Sequence, residues 1–139
     1  MLDQVDPHLW QHVCKVIAIR LGSLEEVTAI APALQKLRQL LPYAVITLMT
    51  SQDSSQLAEQ LPWINGFLVY EETLFTTNGE RELTLIEMLS HQAFDAAVIF
   101  TNEQESPYPL AYICYLAGIP IRIGQSREFG GGVLSQWIR

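Results

Sequence analysis

Three kinds of side chain that can do chemistry fall within seven positions of one another in Arg20-Leu21-Gly22-Ser23-Leu24-Glu25-Glu26. The stretch follows an apolar run and leads through Val27 toward Pro32, Ala33 and Leu34. It therefore reads as a strand end, a tight turn and a helix start, the place where open α/β sheets bind their ligands. Glu26 stands three residues after Ser23, which allows two roles. In one, the pair is a capping box, each side chain satisfying a free backbone N–H of the other. In the other, Glu26 is a general base at the carboxyl end of the first strand, taking a proton from a bound hydroxyl. Gly22 and Ser23 offer turn amides that can hold a phosphate or sugar oxygen, against the plainer reading of a turn followed by an N-cap. One glycine is not the G-x-G-x-x-G of a dinucleotide site, and no G-K-[ST] marks a nucleotide-binding P-loop.

Two further loops belong to the same edge of such a sheet. The polar run 101–106 leaves the fourth expected strand and supplies Thr101, Gln104 and Ser106, and the run 125–132 leaves the fifth and supplies Arg127. His8 and His12 are spaced as two ligands on one helical face, but metal sites need three or four convergent groups and no third is in view, so no metal is expected. His91 is placed at a helix end, where its charge suits the dipole.

The elements that must position these groups fit one domain of 139 residues, long enough to bury roughly two thirds of its unfolded surface. With 49% hydrophobic residues and a net charge of -7, the chain reads as soluble and globular. No apolar run approaches the ~20 residues of a membrane-spanning helix. Two lysines and six arginines, scattered along the chain, argue against a nucleic-acid surface. Cys14 and Cys114 each lie in an apolar context without a preceding signal peptide, which predicts buried thiols in a reducing compartment and leaves a disulfide open.

Asp6 and Pro7 predict an N-cap and first position of a short helical turn, followed by a strand over 13–19. Helix periodicity predicts a helix over 24–40, kinked or weakened at Pro32. Strands at 44–49 and 66–70 flank a helix at 51–61, and a loop at 71–80 precedes a helix at 81–91. A strand at 96–100, a helix at 107–117 closed by Gly118 and a strand at 119–123 complete the pattern. Repeated β-α units with continuously apolar strands predict an α/β fold, a Rossmann-like three-layer α/β/α sandwich with a mostly parallel sheet of about five strands. The tail 124–139, with Gly130-Gly131-Gly132 and Trp137, is left without a partner strand or helix, as in a chain cut from a longer one or one whose missing partner would cover Trp137.

The same residues carry a family resemblance. Arg20-Leu21-Gly22-Ser23, then Val27, Pro32-Ala33-Leu34, resembles the first strand-loop-helix of the heptosyltransferase-like glycosyltransferases (glycosyltransferase family 9), whose usual form is R-x-G-S-x-G-D-V. Phe94-Asp95-Ala96-Ala97-Val98-Ile99 and Ala117-Gly118-Ile119-Pro120-Ile121-Arg122 look like its matching later stretch. The resemblance spans roughly residues 14 to 137, and departs from the family where Glu25-Glu26 replaces Gly-Asp. It implies a GT-B arrangement of which residues 1–139 supply the N-terminal, acceptor-side domain, without the C-terminal donor-binding half. It further implies Glu26 as the catalytic base and a glycan or glycolipid acceptor in bacterial lipopolysaccharide or related assembly. A nucleotide-sugar donor would bind only with a C-terminal domain, and no resident cofactor is implied. The location implied is cytoplasmic, peripheral to the inner membrane in the complete protein. The other class is a degenerate transferase half that serves as a binding or interaction module without catalysis. A phosphoacceptor receiver domain fits less well, since strand three ends Tyr70-Glu71 without an aspartate and no lysine follows strand five.

Overall fold

Alternation along the first strand decides the architecture. In β1 (Lys15–Ile19) Val16 and Ala18 face one hydrophobic cluster while Ile17 and Ile19 face a second, and all four are fully buried. A strand apolar on both faces needs a layer on each, and each such Ile or Val contributes roughly 1.5–3 kcal/mol of burial. The computed structural model describes residues 2, 5–70, 80–102 and 104–125, with the backbone of 136–138. Within them β1, β2 (Val45–Thr50), β3 (Gly66–Val69), β4 (Ala96–Ile99), β5 (Ile121–Gln125) and β6 (Gln136–Ile138) form one sheet in the order β3-β2-β1-β4-β5-β6. Every pairing is parallel.

Helices α1 (Leu24–Ala29), α2 (Ala31–Leu40) and α3 (Ser55–Gln60) cover one face through Val27, Leu34, Leu37 and Ala58. Helices α4 (Glu80–Gln92) and α5 (Tyr108–Leu116) cover the other through Leu85, Leu89, Leu110 and Cys114. The three-layer α/β reading holds. Arg38 of α2 ties the α1–α3 layer to the amino ends of β2 and β3, donating to Trp63 O, Ala44 O and Asn65 Oδ1 at 3.0, 2.8 and 2.7 Å.

Several boundaries differ from the sequence reading for local reasons. The expected single helix over 24–40 is two, broken at Ile30, because Pro32 has no N–H to donate and its ring crowds the preceding turn. Pro120 likewise delays the last expected strand, which runs Ile121–Gln125 and not 119–123. Gly118 does close α5, at φ +81, with its N–H donated to Tyr115 O at 3.0 Å. Asp6 Oδ1 accepts from His8 N–H at 2.9 Å, so the N-terminal cap is also as expected. The tail is not without a partner: residues 136–138 add a sixth strand, with Gly124 opposite Trp137. β5 offers an open edge of backbone donors and acceptors, and a three-residue strand suffices to pair with it.

The cysteines separate. Cys14 is exposed, contrary to expectation, because it precedes β1, where backbone and not side chain is engaged: Asp95 Oδ2 accepts from the N–H groups of Cys14 and Lys15 at 2.8 and 2.9 Å. Cys114 is buried against the sheet, and neither cysteine is in a disulfide. Burial pushes the Cys114 thiol from 9.0 up to about 12, with the Arg122 charge acting in the lowering direction. At neutral pH a thiol reagent should therefore label Cys14 in the native protein and reach Cys114 only on unfolding; equal native rates would contradict the burial. The folded thiol keeps its proton where the unfolded one has lost it. Its contribution to stability is thus complete below pH 9.0 and declines as pH rises toward about 12, measurable as a falling urea midpoint.

Candidate functional site

The chain proceeds from β1 to β2 and β3 in one direction, then returns to lay β4 on the other side of β1. The loops leaving the carboxyl ends of β1 and β4 therefore part toward opposite faces, opening the crevice in which doubly wound sheets bind ligands. Arg20 and Phe100 extend the ladder by one residue, through Arg20 N–H to Met49 O at 3.0 Å and Phe100 N–H to Ile19 O at 2.9 Å.

Beyond Arg20 the backbone turns at Gly22, whose φ of +128 lies where side chains are rarely accommodated. The turn is pinned from the β2 side: Gly22 N–H donates to Ser51 Oγ at 2.9 Å, and Ser54 Oγ donates to Gly22 O at 3.3 Å. The Gly22 amide, expected as a ligand donor, is thus already engaged. Ser23 is the N-cap of α1, its Oγ accepting from Glu26 N–H at 3.3 Å. Only this half of the capping box forms. The Glu26 carboxylate points instead at Arg20, with Nη2 to Oε2 at 2.9 Å.

Arg20 is the centre of the site. Its side chain is 5% exposed, and its second nitrogen Nη1 donates to Glu105 Oε1 at 2.9 Å, so one buried guanidinium joins the loop after β1 to the loop after β4. A buried charge needs such partners, and the fork of an arginine can hold two at fixed angles. Both carboxylates remain 41% exposed at their side chains. Glu105 Oε1 also accepts from Asn102 N–H at 3.1 Å, which shapes the 101–106 loop, as does Gln104 N–H donated to Asn102 Oδ1 at 2.8 Å.

Of the residues singled out from sequence, the structure gathers Gly22, Ser23 and Glu26 into one turn. Thr101 Oγ1 donates to Gln125 O at 3.4 Å, tying the ends of β4 and β5. Gln104 and Ser106 are exposed on the β4–α5 loop, where Ser106 Oγ accepts from Tyr108 N–H at 3.2 Å and starts α5. None of these three has a hydrogen bond to Glu26 among the described residues, and Arg127 lies outside them. Arg20 was singled out in the turn but given no role, and Glu105 was missed. For Arg20 a signal existed, since it continues a strand whose residues are buried on both faces. Glu105 carried none, because its partner is 85 positions away. His8 Nδ1 lies 3.1 Å from Gln11 Nε2 in the N-terminal turn, and His91 Nδ1 lies 2.8 Å from Glu87 O near the end of α4.

These features define a doubly wound Rossmann-like domain with a clamped carboxylate at its topological switch point. A comparison with protein-family models and with curated proteins finds no match. Solved structures do share the fold. The E. coli ADP-heptose LPS heptosyltransferase II aligns with a TM-score of 0.71 at 23% identity, over 88% of this chain and 34% of its own. A glycosyl transferase family 9 protein from Veillonella parvula aligns with a TM-score of 0.68 at 20% identity, over 98% and 37%. E. coli heptosyltransferase WaaC with ADP-2-deoxy-2-fluoro heptose aligns with a TM-score of 0.57 at 14% identity, over 81% and 36%. The fold is that of one domain of the heptosyltransferase-like glycosyltransferases, and the chain spans about a third of the length of these proteins. Among the described residues, no helix is long and apolar enough to cross a membrane.

Proposed function

We propose that the chain is the acceptor-side domain of a heptosyltransferase-like glycosyltransferase of lipopolysaccharide or related glycan assembly, working in the cytoplasm at the inner membrane. In this reading Glu26 is the base. An acceptor hydroxyl attacks the anomeric carbon of the activated sugar, the bond to the nucleoside diphosphate breaks, and the hydroxyl proton passes to the Glu26 carboxylate. The observation that carries the reading is the placement of that carboxylate: half exposed, at the switch point, with Oε2 held by Arg20 and Oε1 without a partner among the described residues. A held carboxylate with one open oxygen suits proton transfer, because orientation is fixed before the acceptor arrives. Gln104 and Ser106, exposed on the facing loop, are the proposed acceptor contacts. The donor belongs to a second domain.

The alternative, a non-catalytic binding module, is favoured by Glu25-Glu26 in place of the Gly-Asp of the resembled motif, together with the closure of Glu26 over the Gly22 turn. Calorimetric titration of this chain with nucleotide-sugars should give no turnover and at most weak binding. A Kd in the low-micromolar range, around -8 kcal/mol, would reject the assignment of halves. Titration with a lipopolysaccharide core oligosaccharide, followed by amide NMR, should perturb Gly22, Ser23 and Glu26. Perturbation confined to the opposite edge of the sheet, or none at all, rejects the acceptor reading.

A further inference from the structure

The loops on either side of the switch point share one cation, and their shapes are therefore linked. We propose that Arg20 is a positioning residue that fixes the Glu26 carboxylate and couples its aim to Glu105 in the opposite loop. The proposal rests on the transferase reading above, in which Glu26 is the reacting group.

Geometry leaves Glu26 little choice of position. A Cβ built on Gly22 would lie 1.9 Å from Glu26 Oε2, so the carboxylate rests directly on the glycine turn and is drawn there by Arg20 Nη2 at 2.9 Å. A side chain at residue 22 would occupy the place that the carboxylate now holds.

The other side of the guanidinium is equally committed. Nη1 holds Glu105 Oε1, the oxygen that also accepts the Asn102 N–H, so a shift of the 101–106 loop draws on Arg20 and through it on Glu26. Two carboxylates compete for one delocalised charge, and weakening either hydrogen bond strengthens the other. A lysine could not reproduce this, because a single ammonium lacks the fork that holds two carboxylates in one plane. Glu105 Oε2 has no partner among the described residues and its side chain is 41% exposed. A sugar hydroxyl donating there would shift the balance of the clamp, giving acceptor binding a route to the base.

The test reads the side-chain carboxyl resonances of Glu26 and Glu105 by carbon-13 NMR in the full chain. Glu105→Gln should shift the Glu26 resonance, and the same substitution in an Arg20→Met background should leave it unmoved. If Arg20→Met does not fold, Arg20→Gln, which also removes the charge, serves as the background. A Glu26 resonance that ignores Glu105→Gln, or that responds equally in both backgrounds, overturns the coupling. The readout needs no substrate, so failure of oligosaccharide binding would count against the transferase reading and a silent Glu26 resonance against Arg20.

Discussion

Gly22→Ala should destabilise the protein by about 1–3 kcal/mol through backbone strain alone, since a φ of +128 is one that alanine rarely adopts. The new methyl would also meet Glu26 Oε2, 1.9 Å from its built position, so the carboxylate must shift and its contact with Arg20 is disturbed. The two effects are separable in a double-mutant cycle. Once Gly22→Ala has displaced the carboxylate, adding Glu26→Ala removes an interaction already lost, so the pair should cost less than the sum of the single changes. Urea unfolding of the four proteins measures this. Strict additivity would mean that Glu26 does not rest on the turn in solution, and a neutral Gly22→Ala would mean that the turn itself relaxes.

The fold was legible in the sequence wherever a local rule decides the structure. Strands apolar on both faces require covering layers, Pro32 and Pro120 lack the donors that regular structure needs, and Gly118 can take the φ of +81 that ends a helix. Boundaries set by those prolines were harder: both were visible, but whether a proline kinks a helix or splits it depends on what the flanking turns pack against. The sixth strand was not legible, because three residues carry no periodicity and their pairing is supplied by the free edge of β5.

The site divides along the same line. Gly22, Ser23 and Glu26 are neighbours in sequence, so their turn could be read directly, including the cap made by Ser23. What the Glu26 side chain does could not be read, because a capping carboxylate and an ion-paired one differ only in which donor lies nearer. The nearer donor proved to be Arg20, buried at the end of the central strand β1. Its second partner arrives from a loop after β4, brought there by the return of the chain across β1.

That shared guanidinium leads to the largest non-additive effect expected. Each carboxylate is 41% exposed, so Glu26→Ala or Glu105→Ala alone, leaving one partner in place, should cost only about 0–1 kcal/mol. Removing both leaves Arg20, 5% exposed at its side chain, charged and buried without compensation, and breaking a buried pair in this way costs about 3–5 kcal/mol. The double variant should thus lose far more than the sum of the singles. Adding Arg20→Met should recover most of the loss, because an apolar side chain of similar length can occupy the buried place without needing a partner. Urea midpoints for the single, double and triple variants decide it. A double variant no worse than the sum places the guanidinium in water and not in the sheet, and a triple variant as unstable as the double would assign the loss to the two loops and not to the stranded charge.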